Sequence, residues 1–247
     1  MKKIIFFDTE TTGIGAEDFL CQIAYKVYPD QQGEVNDEVF TEIYKPAIPI
    51  PPGASAVHHI TNEMVKDKLA FTKSPEFTRI KDMFEDENSI VVAHNMTFDQ
   101  DMVKKEGINL KNTICTLRVA RHLDRDAKLA KHNLQFLRYA LGIEIEATAH
   151  DALGDVLVLE KLFQRLLKKI ITDENIDEGK ALERMIEISS KPSMMRVFSF
   201  GKHNGKKVEE VVTTDRPYLE WLLNQKIQDG ASHEDDWVYT LKHFLGK

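Results

Sequence analysis

Apolar residues fall into two kinds of run along this chain. KIIFFD, FLCQIAYKVY and EVFTEIYK near the start are rich in β-branched and aromatic residues and lack helical spacing, which predicts three strands of an antiparallel meander. PAIPIPPGASAVHHIT follows and reads as a loop, because its prolines oppose both a helix and a central strand. Helical spacing then appears in SPEFTRIKDMFEDE, SIVVAH reads as a short buried strand, and FDQDMVKKEG opens a helix that Gly107 closes. NTICT is a further strand. NLQFLRYALG and DALGDVLVLEKLFQRLLKKI are amphipathic helices, the second with Val156, Leu159, Leu162, Phe163 and Leu166 on one face. The order βββαβαβα, with an additional helix at NLQFLRYALG, predicts an α/β fold: a mixed sheet flanked by helices.

The pattern also divides the chain. The polar segment ITDENIDEGK reads as a hinge, and ALERMIEISSKP as a short helix that stops before Pro192. From there a second unit has its own turn, FGKHNGKK, and its own helix, RPYLEWLLNQ, in few residues for an independent core. The expected organisation is a main domain over 1–170, a linker with a short helix over 171–191, and a small C-terminal α+β module over 192–247. MKKIIFF opens like a secretory leader, but Asp8 and Glu10 interrupt the apolar run, so it reads as a buried first strand, and nothing later approaches a membrane span. Cys21 and Cys115 form no disulfide framework or zinc spacing, which favours a reducing compartment, the cytoplasm. The net charge of −7 argues against a protein that coats long duplex, while leaving room for one that grips a few nucleotides at a chain end.

Three stretches carry the chemistry. In FFDTETTG, Asp8 and Glu10 lie two apart on a strand and its end, so both project on one face. Carboxylates that close repel unless cations neutralise them. In AHNMTFDQD, Asp99 and Asp101 both fall in the first turns of a helix, and either suits its dipole. In HDALGD, Asp151 is a natural N-cap, which puts His150 in the preceding loop and Asp155 one turn into the helix. Carboxylates without cysteine suit hard cations, Mg²⁺ or Mn²⁺, and the combination points to phosphodiester hydrolysis.

These motifs, in this order, resemble the DEDDh family of 3′-to-5′ exonucleases, typified by the proofreading epsilon subunit of bacterial DNA polymerase III, over roughly residues 1 to 170. Asp-x-Glu-Thr-Thr-Gly stands as Asp8, Glu10, Thr11, Thr12 and Gly13; His-Asn-x-x-Phe-Asp as His94, Asn95, Phe98 and Asp99; His-x-x-x-x-Asp as His150 and Asp155. The second match selects Asp99 over Asp101. Where the family usually has Val-His-Gly-Ile-Thr, this chain has Val57, His58, His59, Ile60 and Thr61, histidine replacing the glycine. The tail resembles the exonuclease X-like C-terminal module through Phe200, Gly201, Lys202, Gly205 and Lys206 and the stretch from Tyr218 to Leu223.

The resemblance implies a ribonuclease H-like fold and release of nucleoside 5′-monophosphates from single-stranded or frayed 3′ ends of DNA, in repair or in proofreading during replication. It implies two Mg²⁺ or Mn²⁺ ions. Asp8 would bridge them, Glu10 and Asp155 would complete the site holding the attacking water, Asp99 would support the second ion, and His150 would act as general base. Thr11, Thr12, Gly13, His58, Asn95 and Phe98 would hold the terminal nucleotide. Three other readings are an exoribonuclease, a proofreading subunit within a polymerase or repair complex, and a catalytically silent nucleic-acid-binding module; the intact set of four acids and His150 argues against the last.

Overall fold

The computed structural model describes residues 2–28, 38–145, 151–230 and 235–247. Its spine is β1 (Lys3–Thr11), which pairs antiparallel with β2 (Leu20–Tyr28) and parallel with β4 (Ser89–Ala93). β3 (Val39–Ile43) extends the meander and β5 (Thr113–Cys115) the parallel side, giving the order β3-β2-β1-β4-β5. Every residue of β4 is buried, as expected of a parallel strand covered on both faces. At the end of β1 the register slips between Glu10 and Thr11, so Cys21 is an extra residue on β2. Such a bulge bends the strand and re-aims the side chains beside it.

Both faces of β1 are packed. Ile5 and Phe7 join the cluster containing Ile80 and Phe84 of α3 (Phe77–Glu85). Phe6 meets Phe163 of α7 (Ala152–Glu174) edge to face at 5.2 Å. The face of α7 read from spacing is the buried one: Val156, Leu159, Leu162, Phe163 and Leu166 are all in the core. Further helices of this part are α1 (Pro52–His58), α2 (Asn62–Val65), α4 (Met96–Lys105) and α6 (Leu134–Ala140), and α5 (Thr116–Leu123) follows directly on β5. Among the described residues no helix is long and apolar enough to cross a membrane.

Two elements depart from the sequence expectation. PAIPIPPGASAVHHIT is not all loop: Pro52 occupies the first position of α1, where a missing N–H costs no hydrogen bond and the fixed φ favours the helix. The hinge expected from 171 is helical at its start, since α7 runs on to Glu174 and ends with Asn175 at φ 52°. α8 (Glu178–Ser189) follows. Asp151 does stand at the N-cap position of α7, but its side chain makes no capping hydrogen bond.

The chain forms two compact units, and they do not follow the linear division at 170 and 192. Unit 1 comprises Met1–Leu117 and Asn133–Ile186; unit 2 comprises Arg118–His132 and Glu187–Lys247. Within unit 2, Arg118 Nη1 donates to Ser189 O at 2.7 Å and the Arg121 guanidinium pairs with Asp236, tying the inserted segment to the tail. The tail holds α9 (Val208–Thr214), α10 (Arg216–Gln228) and α11 (Asp236–Leu245). Phe198 stacks on Trp237 at 4.9 Å within a buried cluster that includes Leu219, Leu223 and Leu241, so the tail does build a core of its own. Among its described residues, its β component is one bridge, Val197 with Lys207.

Candidate active site

The end of β1 presents Asp8 and Glu10 on one face, as strand alternation requires. α7 packs against β1 and carries Asp155 in its first turn, and oxygens of Asp8, Glu10 and Asp155 all lie within 4.8 Å of one another. Asp99, 2% exposed in the first turn of α4, accepts two bonds on Oδ1: from Thr9 N at 3.1 Å and Thr9 Oγ1 at 2.7 Å. Asn95, at φ 70° and ψ 47°, makes the left-handed turn that starts α4 after β4; asparagine tolerates that conformation better than most residues.

The acids strain one another electrostatically. Burial, followed by the charges of Asp99, Glu10, Asp155 and Asp151, pushes the Asp8 carboxyl well above the usual carboxylate range. Glu10 is pushed up to about 8 by burial first and then by Asp155, Asp99 and Asp151. Burial raises Asp99 to about 7 against the opposing pull of its Thr9 hydrogen bonds. A cluster that resists ionisation near neutral pH fits a site completed by divalent cations, and its oxygen-only donors suit hard ones. Burial pushes the Cys21 thiol up to about 12, so it stays protonated at the bulge of β2.

The loop after Glu10 is fastened from within. Thr12 Oγ1 donates to Asp18 Oδ1 at 2.8 Å and accepts from Phe19 N at 3.0 Å, while Asp18 Oδ2 accepts from Gly15 N at 2.7 Å. Thr11 Oγ1 donates to Gly13 O at 2.6 Å. A Cβ at Gly13 would sit 2.6 Å from Asp18 Oδ2, so a side chain there would push the Asp18 carboxylate off its bonds to Thr12 and Gly15. The hydroxyls of Thr11 and Thr12 therefore shape the loop. Ile14 at its tip is 91% exposed.

His58 is buried rather than presented to solvent. Its Nδ1 accepts from Ile60 N at 3.1 Å, which leaves Nε2 to donate to Thr11 O at 3.1 Å. Burial lowers its pKa, so it is a neutral histidine pinning the end of β1 at the bulge. Asn95 is exposed and Phe98 half-buried beside Asp99. His94 Nδ1 lies 2.9 Å from Thr116 Oγ1. His150 lies outside the described residues.

Two residues of the site went unread in the sequence. Thr9 lies between Asp8 and Glu10 at the polar end of β1, and no local signal marks it. Gln135 of α6 donates from Nε2 to Asp155 Oδ1, and its own Oε1 accepts from Arg138 Nη1 at 3.5 Å. Arg138 Nη2 also donates to Ile145 O at 2.6 Å. Nothing in the spacing of α6 marks Gln135, because its partner is 20 residues away.

The exonuclease family model matches residues 5–163, and the exodeoxyribonuclease X-like C-terminal model matches residues 198–226. Exodeoxyribonuclease 10 of Escherichia coli strain K12 is 31% identical over 249 residues, spanning 99% of each chain. The DNA polymerase III epsilon subunit of Buchnera aphidicola is 34% identical, over 66% of this chain and 71% of that one. Among solved structures, Exonuclease X in complex with 5′ overhanging duplex DNA superposes with a TM-score of 0.56 at 24% identity, covering 75% of this chain and 99% of that one, a likeness of fold.

Proposed function

Because the chain belongs to the exonuclease family, we propose that it is a 3′-to-5′ exonuclease that hydrolyses DNA with the help of two Mg²⁺ or Mn²⁺ ions and releases nucleoside 5′-monophosphates. The observation that carries this reading is the convergence of Asp8, Glu10 and Asp155 within 4.8 Å, with Asp99 locked beside them by Thr9. The relative matched along 99% of its length, an exodeoxyribonuclease, supports DNA as substrate. Its proposed setting is DNA repair in the cytoplasm.

The ions, when bound, supply positive charge to the attacking and leaving oxygens of an in-line displacement. Asp8, Glu10, Asp155 and Asp99 would hold them beside the attacking water. His150, outside the described residues, would take the proton from that water, a task suited to an imidazole of ordinary pKa near 6.5. Asn95, Phe98 and the backbone of Thr11 to Gly13 would hold the terminal nucleotide, with Ile14 offering an apolar face to its base. His58 would act one step back, through the carbonyl of Thr11.

The test is purified protein with Mg²⁺ on end-labelled single-stranded DNA, duplex DNA with a recessed 3′ end, and RNA. Expected is stepwise shortening of DNA that a 3′ block stops and a 5′ block does not. Nucleotides released from a 3′-blocked strand would overturn the direction, and faster loss of RNA would favour the exoribonuclease reading. Asp8→Ala should abolish turnover while leaving the fold intact, and near wild-type turnover at saturating Mg²⁺ would refute the site.

A further inference from the structure

Lys and Arg outnumber Asp and Glu in unit 2, although the whole chain is at −7. The basic side chains of this unit are not equivalent. Lys202, which the sequence pattern marks most clearly, has its Nζ 2.7 Å from Asp215 Oδ2 and 4.9 Å from the centre of the Tyr218 ring. Arg216 pairs with Glu220 at 3.4 Å and Lys226 with Asp235 at 3.5 Å. These cations are already neutralised by neighbours.

Three others converge on one small cleft. Arg125 comes from the turn after α5, Arg196 and Lys207 from opposite sides of the β-bridge, and Phe244 of α11 forms an apolar wall. The bridge holds the two sides in register, with Phe198 N donating to Lys206 O and Val208 N to Arg196 O, both at 2.9 Å. Arg196 is rooted: its Nε is buried and meets no acceptor, so the guanidinium enters the cleft on a sheltered stem. Two acids also line the cleft, Asp126 and Glu209. Asp126 is matched by Lys128 at 3.0 Å, and its carboxyl is held below the usual range by Lys128 first and then by Lys207 and Arg196. A positive field flanked by an aromatic ring is suited to a sugar-phosphate backbone.

We propose that this cleft is a phosphodiester-binding subsite for a single DNA strand, with Arg125, Arg196 and Lys207 facing phosphate oxygens and Phe244 lying against the adjoining sugar or base. The choice of a DNA strand as occupant rests on the exonuclease reading. The cleft lies wholly within unit 2 and shares no residue with the acidic cluster.

Arg125 and Lys207 are exposed, so Arg125→Gln with Lys207→Gln in the full-length protein removes charge with little disturbance of packing. Binding of a fluorescent single-stranded DNA is followed by anisotropy in EDTA across a salt series. Each lost phosphate contact should make the slope of log affinity against log salt shallower by about 0.7, so about 1.4 for the pair. Lys202→Gln should leave the slope unchanged. If the double variant unfolds, Arg125→Gln alone carries the test with about half that change. Unchanged affinity and slope would overturn the proposal, as would complete displacement of the strand by low-millimolar inorganic phosphate at matched ionic strength, which would make the cleft a free-anion site. Hydrolysis of the p-nitrophenyl ester of thymidine 5′-monophosphate, which has no strand to grip, reports on the acidic cluster separately. A wild-type protein that binds DNA with a variant-sensitive slope but hydrolyses nothing would sink the exonuclease reading and leave the cleft standing; active protein with an insensitive slope would do the reverse.

Discussion

Thr9 grips Asp99 twice across 90 residues of sequence, with its backbone N–H at 3.1 Å and its hydroxyl at 2.7 Å, both on Oδ1. The threonine between the two acids of β1 thereby sets the position of the acid that α4 contributes. Both bonds favour the ionised carboxylate, opposing the burial that raises Asp99 to about 7. Thr9→Val keeps the side-chain shape and the N–H but deletes the hydroxyl donor. A hydrogen bond to a charged group contributes about 1.5–3 kcal/mol, so Mn²⁺ affinity should fall by roughly 10-fold or more. Calorimetric titration of Mn²⁺ at pH 7.5 checks this, and an unchanged dissociation constant would remove Thr9 from the site.

Gln135 stands in the same relation to Asp155, with Arg138 behind it holding Gln135 Oε1 and Ile145 O. Partners of this kind orient a metal ligand without touching the metal, and their loss typically weakens metal binding by about 10–100-fold. Gln135→Ala should show that loss with an unchanged circular dichroism spectrum. Gln135→Glu should be worse at pH 8 than at pH 6, because an added carboxylate beside Asp155 repels it once ionised. Wild-type Mn²⁺ affinity in both variants would refute a positioning role.

The acids of β1 and α7 were legible because one regular element carries each: alternation puts Asp8 and Glu10 together, and the core face of α7 puts Asp155 one turn from the helix start. Asp99 is not separable from Asp101 by helix spacing, since both lie in the first turns of α4; the family motif selects Asp99, and the fold buries it to 2% while leaving Asp101 exposed. Thr9 and Gln135 acquire their roles from partners distant in the chain, which no local pattern encodes. The same holds for the assignment of Arg118–His132 to unit 2, which depends on bonds to Ser189 and Asp236. α1 was misread for a local reason, because two prolines that break a helix interior are acceptable at its start.

His59 explains why glycine suits its position. It ends α1 at φ 62°, with its N–H donating to Ser55 O at 2.8 Å, in a conformation that costs a side-chain-bearing residue about 1–2 kcal/mol. His59→Gly relieves that strain, partly offset by about 0.5–1 kcal/mol for the freer unfolded chain. A net gain near 1 kcal/mol should raise the melting temperature by about 2–4 °C. A lower melting temperature would mean that the imidazole of His59 makes a stabilising contact.

The raised carboxyls of the site make metal-free stability depend on pH with a definite sign. Glu10 moves from 4.5 to about 8 and Asp99 from 3.8 to about 7, so between those values the folded protein keeps protons that the unfolded chain has released. Unfolding then releases protons, and stability falls as pH rises from about 4 towards 8; below that window both states are protonated and the penalty vanishes. Divalent ions held by these carboxylates would take the place of those protons, so Mg²⁺ should restore most of the loss at pH 8 and little at pH 5. Asp8→Asn removes one of the repelling charges and should both raise the metal-free melting temperature at pH 8 and flatten its decline. Melting curves in EDTA and in Mg²⁺ at pH 5, 6, 7 and 8 decide the matter: parallel curves for wild type and Asp8→Asn, with no metal effect at pH 8, would mean that the four acids neither repel one another nor hold cations.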